Sequence, residues 1–329
     1  MPKKLLNKHQ IREYTRRLKS CLLLLLLLPS LILTACGGNQ PLLRDGNISS
    51  VSIQDYVSSG EQVTARAQCG EAVVTIKNAI GDSHSLCALL EIKLPEGTCQ
   101  SVPEKVIKPR AIEYFSAHTA YEAITGMNFN EAVSYILNNE DGFLDVSSSG
   151  VTTLERGGPD VIRFFIRFTS IENNLSGQPL TVLIDDIGYE SLQGFQTLYE
   201  GPLVVSWTPD TEGPVYSFDF NACANLKGTG MLTSYFLWLL VESEDQELKG
   251  SKNIDVLTGS ITFSFKDGSS VTLENIEDGS GATAGRKYST YSWKFRNIVN
   301  LLRLETITIG DEVIFVDRMQ SVEKRLPGT

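Results

Sequence analysis

The chain has 329 residues, with 29 Lys or Arg against 39 Asp or Glu and a formal net charge of −10 at pH 7. Such an acidic balance repels phosphate backbones and anionic headgroups, which argues against nucleic acid as a partner and against a basic membrane-binding patch. The length is enough for one large domain or two modest ones.

Seven basic residues (Lys3, Lys4, Lys8, Arg12, Arg16, Arg17, Lys19) precede an apolar run from Cys21 to Cys36, broken by Pro29 and Ser30. Basic, apolar and small segments in that order form a secretory signal whose core is too short to cross a bilayer as a helix. Leu33-Thr34-Ala35-Cys36 resembles the lipobox of bacterial lipoproteins. The resemblance implies cleavage before Cys36, a diacylglycerol on its thiol and an acylated amine, with residues 1–35 as signal peptide. An ordinary secreted protein or an uncleaved anchor is the alternative. Gly37 follows, where an Asp would favour the inner membrane, so the resemblance implies the outer membrane. Losing the leader leaves 22 basic and 38 acidic residues, a net charge near −16. Such a protein is held at a membrane by acyl chains, two or more of which give stable attachment.

Residues 36–60 are rich in Gly, Ser, Asn and Gln and read as a flexible tether. Residues 61–150 read as an N-terminal α+β segment. Its apolar runs Ala72–Ile76 and Leu86–Leu94 flank Gly81-Asp82-Ser83, predicting a hairpin or two short helices. Pro109 and the spacing of Tyr114, Ala117, Tyr121 and Ile124 predict a helix over 111–125, stopped by Gly126. Asn128 with Glu131 resembles a capping box ahead of a stripe formed by Phe129, Val133, Ile136 and Leu137. Together these predict a helical hairpin.

From residue 151 to 329 strands spaced by turn residues predominate, at 161–169, 180–188, 203–207, 215–221, 232–242, 256–266, 269–275, 288–297, 301–309 and 312–319. Lys266-Asp267-Gly268-Ser269 marks a hairpin turn. The fold class is mainly β: a two-sheet, jelly-roll-like β-sandwich with a smaller N-terminal α+β segment. In Val161–Phe168 the even positions form a core face and Arg163, Phe165 and Arg167 the other, which pairs with acids or contacts ligand. Residues 235–241 are apolar on both faces and need cover on both sides, expected from the opposing sheet and the helical hairpin.

Four cysteines remain beside Cys21 and Cys36, and in an exported protein they read as two disulfides with three possible connectivities. Cys69 with Cys99 and Cys87 with Cys223 is the favoured set. No CxxC pair is present, which argues against a metal site built on them. Asp185 and Asp186 are adjacent in a strand, so alternation separates them. One pairs with a basic residue or ligates a structural Ca²⁺, but they are not an acid/base couple. No GxSxG occurs, and Gly279–Gly285 lacks the ending of a phosphate loop and reads as a flexible hairpin loop.

Leu180–Tyr189 and Ile307–Met319 loosely resemble strands of jelly-roll carbohydrate-binding modules, where an apolar strand ends in acidic residues. That resemblance implies non-catalytic glycan binding, with sugar rings on aromatic faces and polar side chains reading hydroxyls. The candidate contacts are Trp207, Trp238, Trp293, Tyr288, Arg163 and Arg167. The expectation is an outer-membrane lipoprotein, facing periplasm or cell exterior, that binds glycan without cleaving it. A structural or assembly lipoprotein docking an envelope protein is the alternative, and a glycosidase-like hydrolase ranks third.

Overall fold

The computed structural model describes residues 46–322, apart from 61, 101, 103–106, 140–143, 145, 147, 212, 223–225, 243–253 and 285–287. The signal peptide and Cys36 lie outside the described residues. The chain enters the fold through β1 (Ile48–Ser52) and α1 (Ile53–Ser59). Ser52 caps the helix, its hydroxyl accepting the Asp55 backbone N–H at 3.0 Å. Ile53 and Val57, one turn apart, are both buried. Residues 46–60 are thus packed structure, which shortens the expected tether. Four-residue spacing of a few apolar groups is enough to dock so short a helix.

A first core draws on strands from β2 to β12. The antiparallel sheet β2 (Val63–Cys69), β3 (Ala72–Gly81), β4 (Ser85–Lys93), β8 (Val161–Thr169) and β7 (Ser148–Thr153) runs in the order β2-β3-β4-β8-β7. The hairpin expected over 71–94 is β3–β4. Two three-stranded sheets share this core: β12-β9-β6, from Leu203–Trp207, Leu180–Ile184 and Ile112–Phe115, and β11-β10-β5, from Gly194–Tyr199, Ile187–Ser191 and Ile107–Pro109. The single strand expected at 180–188 is therefore β9 and β10, which pair with different partners. Asp185-Asp186 is the corner between them.

The helix expected over 111–125 is replaced by β6 and a four-residue helix, α2 (Tyr121–Ile124). Ile112–Phe115 pairs with β9 instead, because ladder bonds and burial of Tyr114 and Phe115 outweigh a weak helical spacing. The capping box is formed at α3 (Phe129–Asn139): the Asn128 N–H donates to the Glu131 carboxylate at 2.9 Å and the Glu131 N–H to the Asn128 side-chain oxygen at 3.0 Å. Ala132 and Ile136 are buried against the first core, whereas Leu137 is exposed.

A second core lies between two further sheets. One is β18 (Glu277–Ala284), β19 (Tyr288–Phe295), β15 (Phe236–Glu242), β14 (Leu226–Leu232), β13 (Tyr216–Ala222) and β23 (Gln320–Ser321), in that order. The other is β17 (Ser270–Thr272), β16 (Ile261–Phe265), β21 (Leu304–Ile309) and β22 (Glu312–Phe315). Helices α4 (Ile254–Ser260) and α5 (Leu273–Ile276) precede β16 and β18. The Lys266–Ser269 turn is formed, with Gly268 at φ +84° and the Asp267 carboxylate accepting the Ser269 N–H at 3.0 Å. Residues 279–284, expected as loop, are edge strand β18, since glycine and small residues fit the ladder beside β19.

Both cores are built from strands, so the fold is mainly β and sandwich-like, with β structure extending well before residue 151. Between the cores a small cluster of Ile53, Val57, Cys87, Leu89, Phe165, Tyr235 and Ile298 is buried. Strand β1 also ties the entry to the end of the second core by pairing with β20 (Asn297–Val299). Among the described residues no helix is long and apolar enough to cross a membrane.

Candidate ligand cleft and sheet face

Strand β8 positions the first wall. Its residues Ile162, Phe164, Ile166 and Phe168 enter the first core as alternation predicts. Arg163, Phe165 and Arg167 face the other way, opposite Glu91, Leu89 and Cys87 of β4. Arg163 is taken up by Glu91, its Nε donating to the carboxylate at 2.9 Å, and Lys77 lies 3.1 Å from the other oxygen. Burial of Glu91 is outweighed by these two cations, which hold its carboxyl below the ordinary value.

Arg167 behaves differently. Only 4% exposed, it donates from Nη2 to the Tyr235 carbonyl at 2.6 Å. Its Nη1 is 3.7 Å from Asp278 Oδ2, an ion pair longer than a hydrogen bond, and its Nε has no hydrogen-bond partner.

Together with β18 and β19, this face bounds a cleft of about 200 Å³. Thr152, Phe165 and Arg167 line one side, and Asp278, Ser280, Ser292 and Lys294 the other. Lys294 Nζ donates to the Ser149 carbonyl at 3.0 Å. Burial, reinforced by the charge of Arg167, pushes the Lys294 ammonium down to about 8, while Cys87 and Asp278 act in the opposite direction. Two glycines keep the cleft open. A Cβ on Gly279 would meet nothing within 4 Å, and one on Gly150 would sit 3.5 Å from Lys294 Nζ.

Beyond the cleft the same sheet presents its outer face. In β19 Tyr291, Trp293 and Phe295 are buried, so Tyr288, Thr290, Ser292 and Lys294 point outward. Trp238 of β15 stands directly opposite Ser292 and is partly exposed. Tyr288, further along, is 45% exposed. Of residues 235–241, Leu237, Leu239 and Val241 lie in the second core, while the expected covering hairpin is not formed and α2 and α3 pack on the first core instead.

The other candidates fall elsewhere. Trp207 is 5% exposed inside the first core, and Trp293 is fully buried in the second. Trp293 stacks on Tyr291 with centroids 6.0 Å apart and donates to Thr258 Oγ1 at 2.7 Å. Neither offers a ring face to a ligand. The Asp186 carboxylate is engaged by Arg110 at 2.9 Å, the Gly201 N–H at 3.0 Å and Thr197 Oγ1 at 3.2 Å. Pairing with a basic residue is thus observed at Asp186, which fastens the β9–β10 corner, and among the described residues there is no group of three or more His, Cys, Asp or Glu that could hold a metal ion. Asp185 contributes its backbone N–H to the Ala111 carbonyl.

The expected disulfides are corrected as well. Cys69, Cys87 and Cys99 are buried free thiols, and Cys223 lies outside the described residues. Cys69 Sγ donates to the Val204 carbonyl at 3.2 Å, because the end of β2 turns that side chain toward β12. Cys87 is directed to the space beside Arg167.

Sequence reasoning named Arg167 and Trp238 but missed Asp278 and Lys294. For Lys294 a signal was present: a lysine between Trp293 and Phe295 in an alternating strand must face outward. Asp278 comes from a segment read as loop.

No family model matches this chain, and no curated protein matches it. One solved structure, described as the crystal structure of the conserved domain protein from Bacillus anthracis, is similar over 79% of this chain and 80% of that one. The TM-score is 0.43 and the identity 10%.

Proposed function

We propose that the protein is an outer-membrane lipoprotein, anchored through Cys36, that captures glycan without cleaving it. The observation that carries this reading is the outer face of the six-stranded sheet, where partly exposed Trp238 and exposed Tyr288 share a surface with Thr290 and Ser292 and run into the cleft. A flat aromatic ring offers an apolar face to sugar C–H groups, and neighbouring hydroxyls supply directed hydrogen bonds. Non-catalytic capture is favoured because Asp278 is the one carboxylate among the described residues lining the cleft, whereas glycoside hydrolysis uses two facing carboxyls about 5–10 Å apart. The test is a glycan array with the protein and its Trp238→Ala variant. Binding that falls at least tenfold in the variant supports the reading, and binding indifferent to Trp238 overturns it.

A second reading, docking of an envelope protein, draws on the edge strand β22, where Val313 and Phe315 are exposed beside Arg318. An exposed apolar edge is the kind of surface partners cover. Stoichiometric capture of one envelope protein, lost in Phe315→Glu, would favour it.

A further inference from the structure

Two cations face one carboxylate in the cleft. Arg167 and Lys294 line it together with Asp278, and Cys87 beside them is a neutral thiol whose ionisation burial pushes up to about 11. The surplus is one positive charge in a partly dehydrated space, where charge interactions are stronger than in water. Buried cations are ordinarily paired, and buried donors ordinarily satisfied. Arg167 meets neither condition fully. Its Nε has no hydrogen-bond partner, and its carboxylate neighbour stands at 3.7 Å.

We propose that this cleft is the seat of a single oxyanion group, the carboxylate of an acidic sugar such as a hexuronate. Arg167 and Lys294 hold the carboxylate, and Thr152, Ser280 and Ser292 supply hydroxyls around it. The surplus charge of one matches a monoanion better than a phosphate dianion. The volume of about 200 Å³ is below that of pockets for drug-sized ligands and fits one small group or ring. Ser292 joins the cleft to the sheet face, because it stands opposite Trp238 in the ladder, and side chains so paired lie about 5 Å apart at Cβ. This proposal rests on the glycan reading and adds the chemical class of sugar.

The experiment is calorimetric titration of the protein with galacturonate, galactose, acetate and inorganic phosphate at pH 7. Galacturonate is expected to bind at least tenfold more tightly than galactose. Lys294→Gln should abolish that preference. Asp278→Asn, which removes the competing carboxylate, should tighten galacturonate by several-fold. Gly279→Leu adds bulk at a cleft-lining position where a Cβ meets nothing within 4 Å, and it should block acetate and galacturonate alike. Equal affinity for galacturonate and galactose, in the protein and in Lys294→Gln, overturns the anion seat while the glycan reading stands. Phosphate binding tenfold tighter than galacturonate also overturns the sugar carboxylate. Acetate binding that needs Lys294, with no sugar bound, keeps the anion seat and removes the glycan reading.

Discussion

The Arg167 guanidinium donates at 2.6 Å to the carbonyl oxygen of Tyr235, 68 residues further along the chain. This buried bond joins a strand of the first core to the start of β15 in the second, so the cleft depends on how the two cores meet. Arg167→Met keeps the aliphatic stem but removes the charged one of two donors to the Tyr235 carbonyl, which retains the Phe295 N–H at 2.9 Å. Such a loss costs about 1–3 kcal/mol. Urea denaturation should show a lower midpoint, and galacturonate binding should be lost at the same time.

Asp82, in the β3–β4 turn, is fully buried, with its Oδ1 accepting the N–H groups of His84 at 2.8 Å and Ser85 at 2.9 Å. Burial pushes its carboxyl up to about 6, despite these bonds and those from Thr233 and Ser85 that favour the anion. Between about pH 4 and 6 the folded protein therefore binds more protons at this site than the unfolded chain, and stability from Asp82 falls as pH rises through that window. Asp82→Asn retains an acceptor for both N–H groups and cannot ionise. Melting curves from pH 4 to 7 should show this downward contribution in the protein and its absence in the variant.

Burial raises the pKa of all three described thiols, to about 11 for Cys69 and Cys87, and so disfavours the thiolate. Since the thiolate is the reactive species, the folded protein should resist Ellman's reagent at pH 8 and release these thiols only in denaturant. Rapid native labelling would show the burial to be wrong.

In the second core Phe218 is paired with Gly230, and a Cβ on that glycine would come within 2.3 Å of the Phe218 ring. Gly230→Ala should destabilise by about 1–3 kcal/mol, the usual cost of forcing atoms into a packed site. Adding Phe218→Leu should recover part of the loss, since the two changes share one volume. Chemical denaturation of the two single variants and the double variant measures the coupling.

The capping box gives a smaller, local effect. Asn128→Ala removes the acceptor for the Glu131 N–H and should cost about 1 kcal/mol in denaturation, with no change in the proposed glycan binding, because α3 packs on the first core and lends no residue to the cleft.

Much of the strand pattern was legible because local chemistry dictates it. The Val161–Phe168 alternation, the Asp267-Gly268 turn and the Asn128/Glu131 cap depend on residues a few positions apart. The segment 111–125 was misread because its helical spacing was weak and its partner, β9, lies some seventy residues downstream. Residues 279–284 gave no sign of being a strand because an edge position next to β19 accepts glycine. Trp207 and Trp293 resembled sugar platforms only while their depth was unknown.

The amino-acid order alone established a predominantly β chain, a surplus of acid and the outward side of β8 where Arg167 resides. Only the three-dimensional packing decided that Arg163 is neutralised by Glu91 while Arg167 is left beside Lys294 and a distant Asp278. The reason is that side-chain direction follows from the period of a single strand, whereas the charge balance of a cleft is set by strands brought together from far apart in the chain.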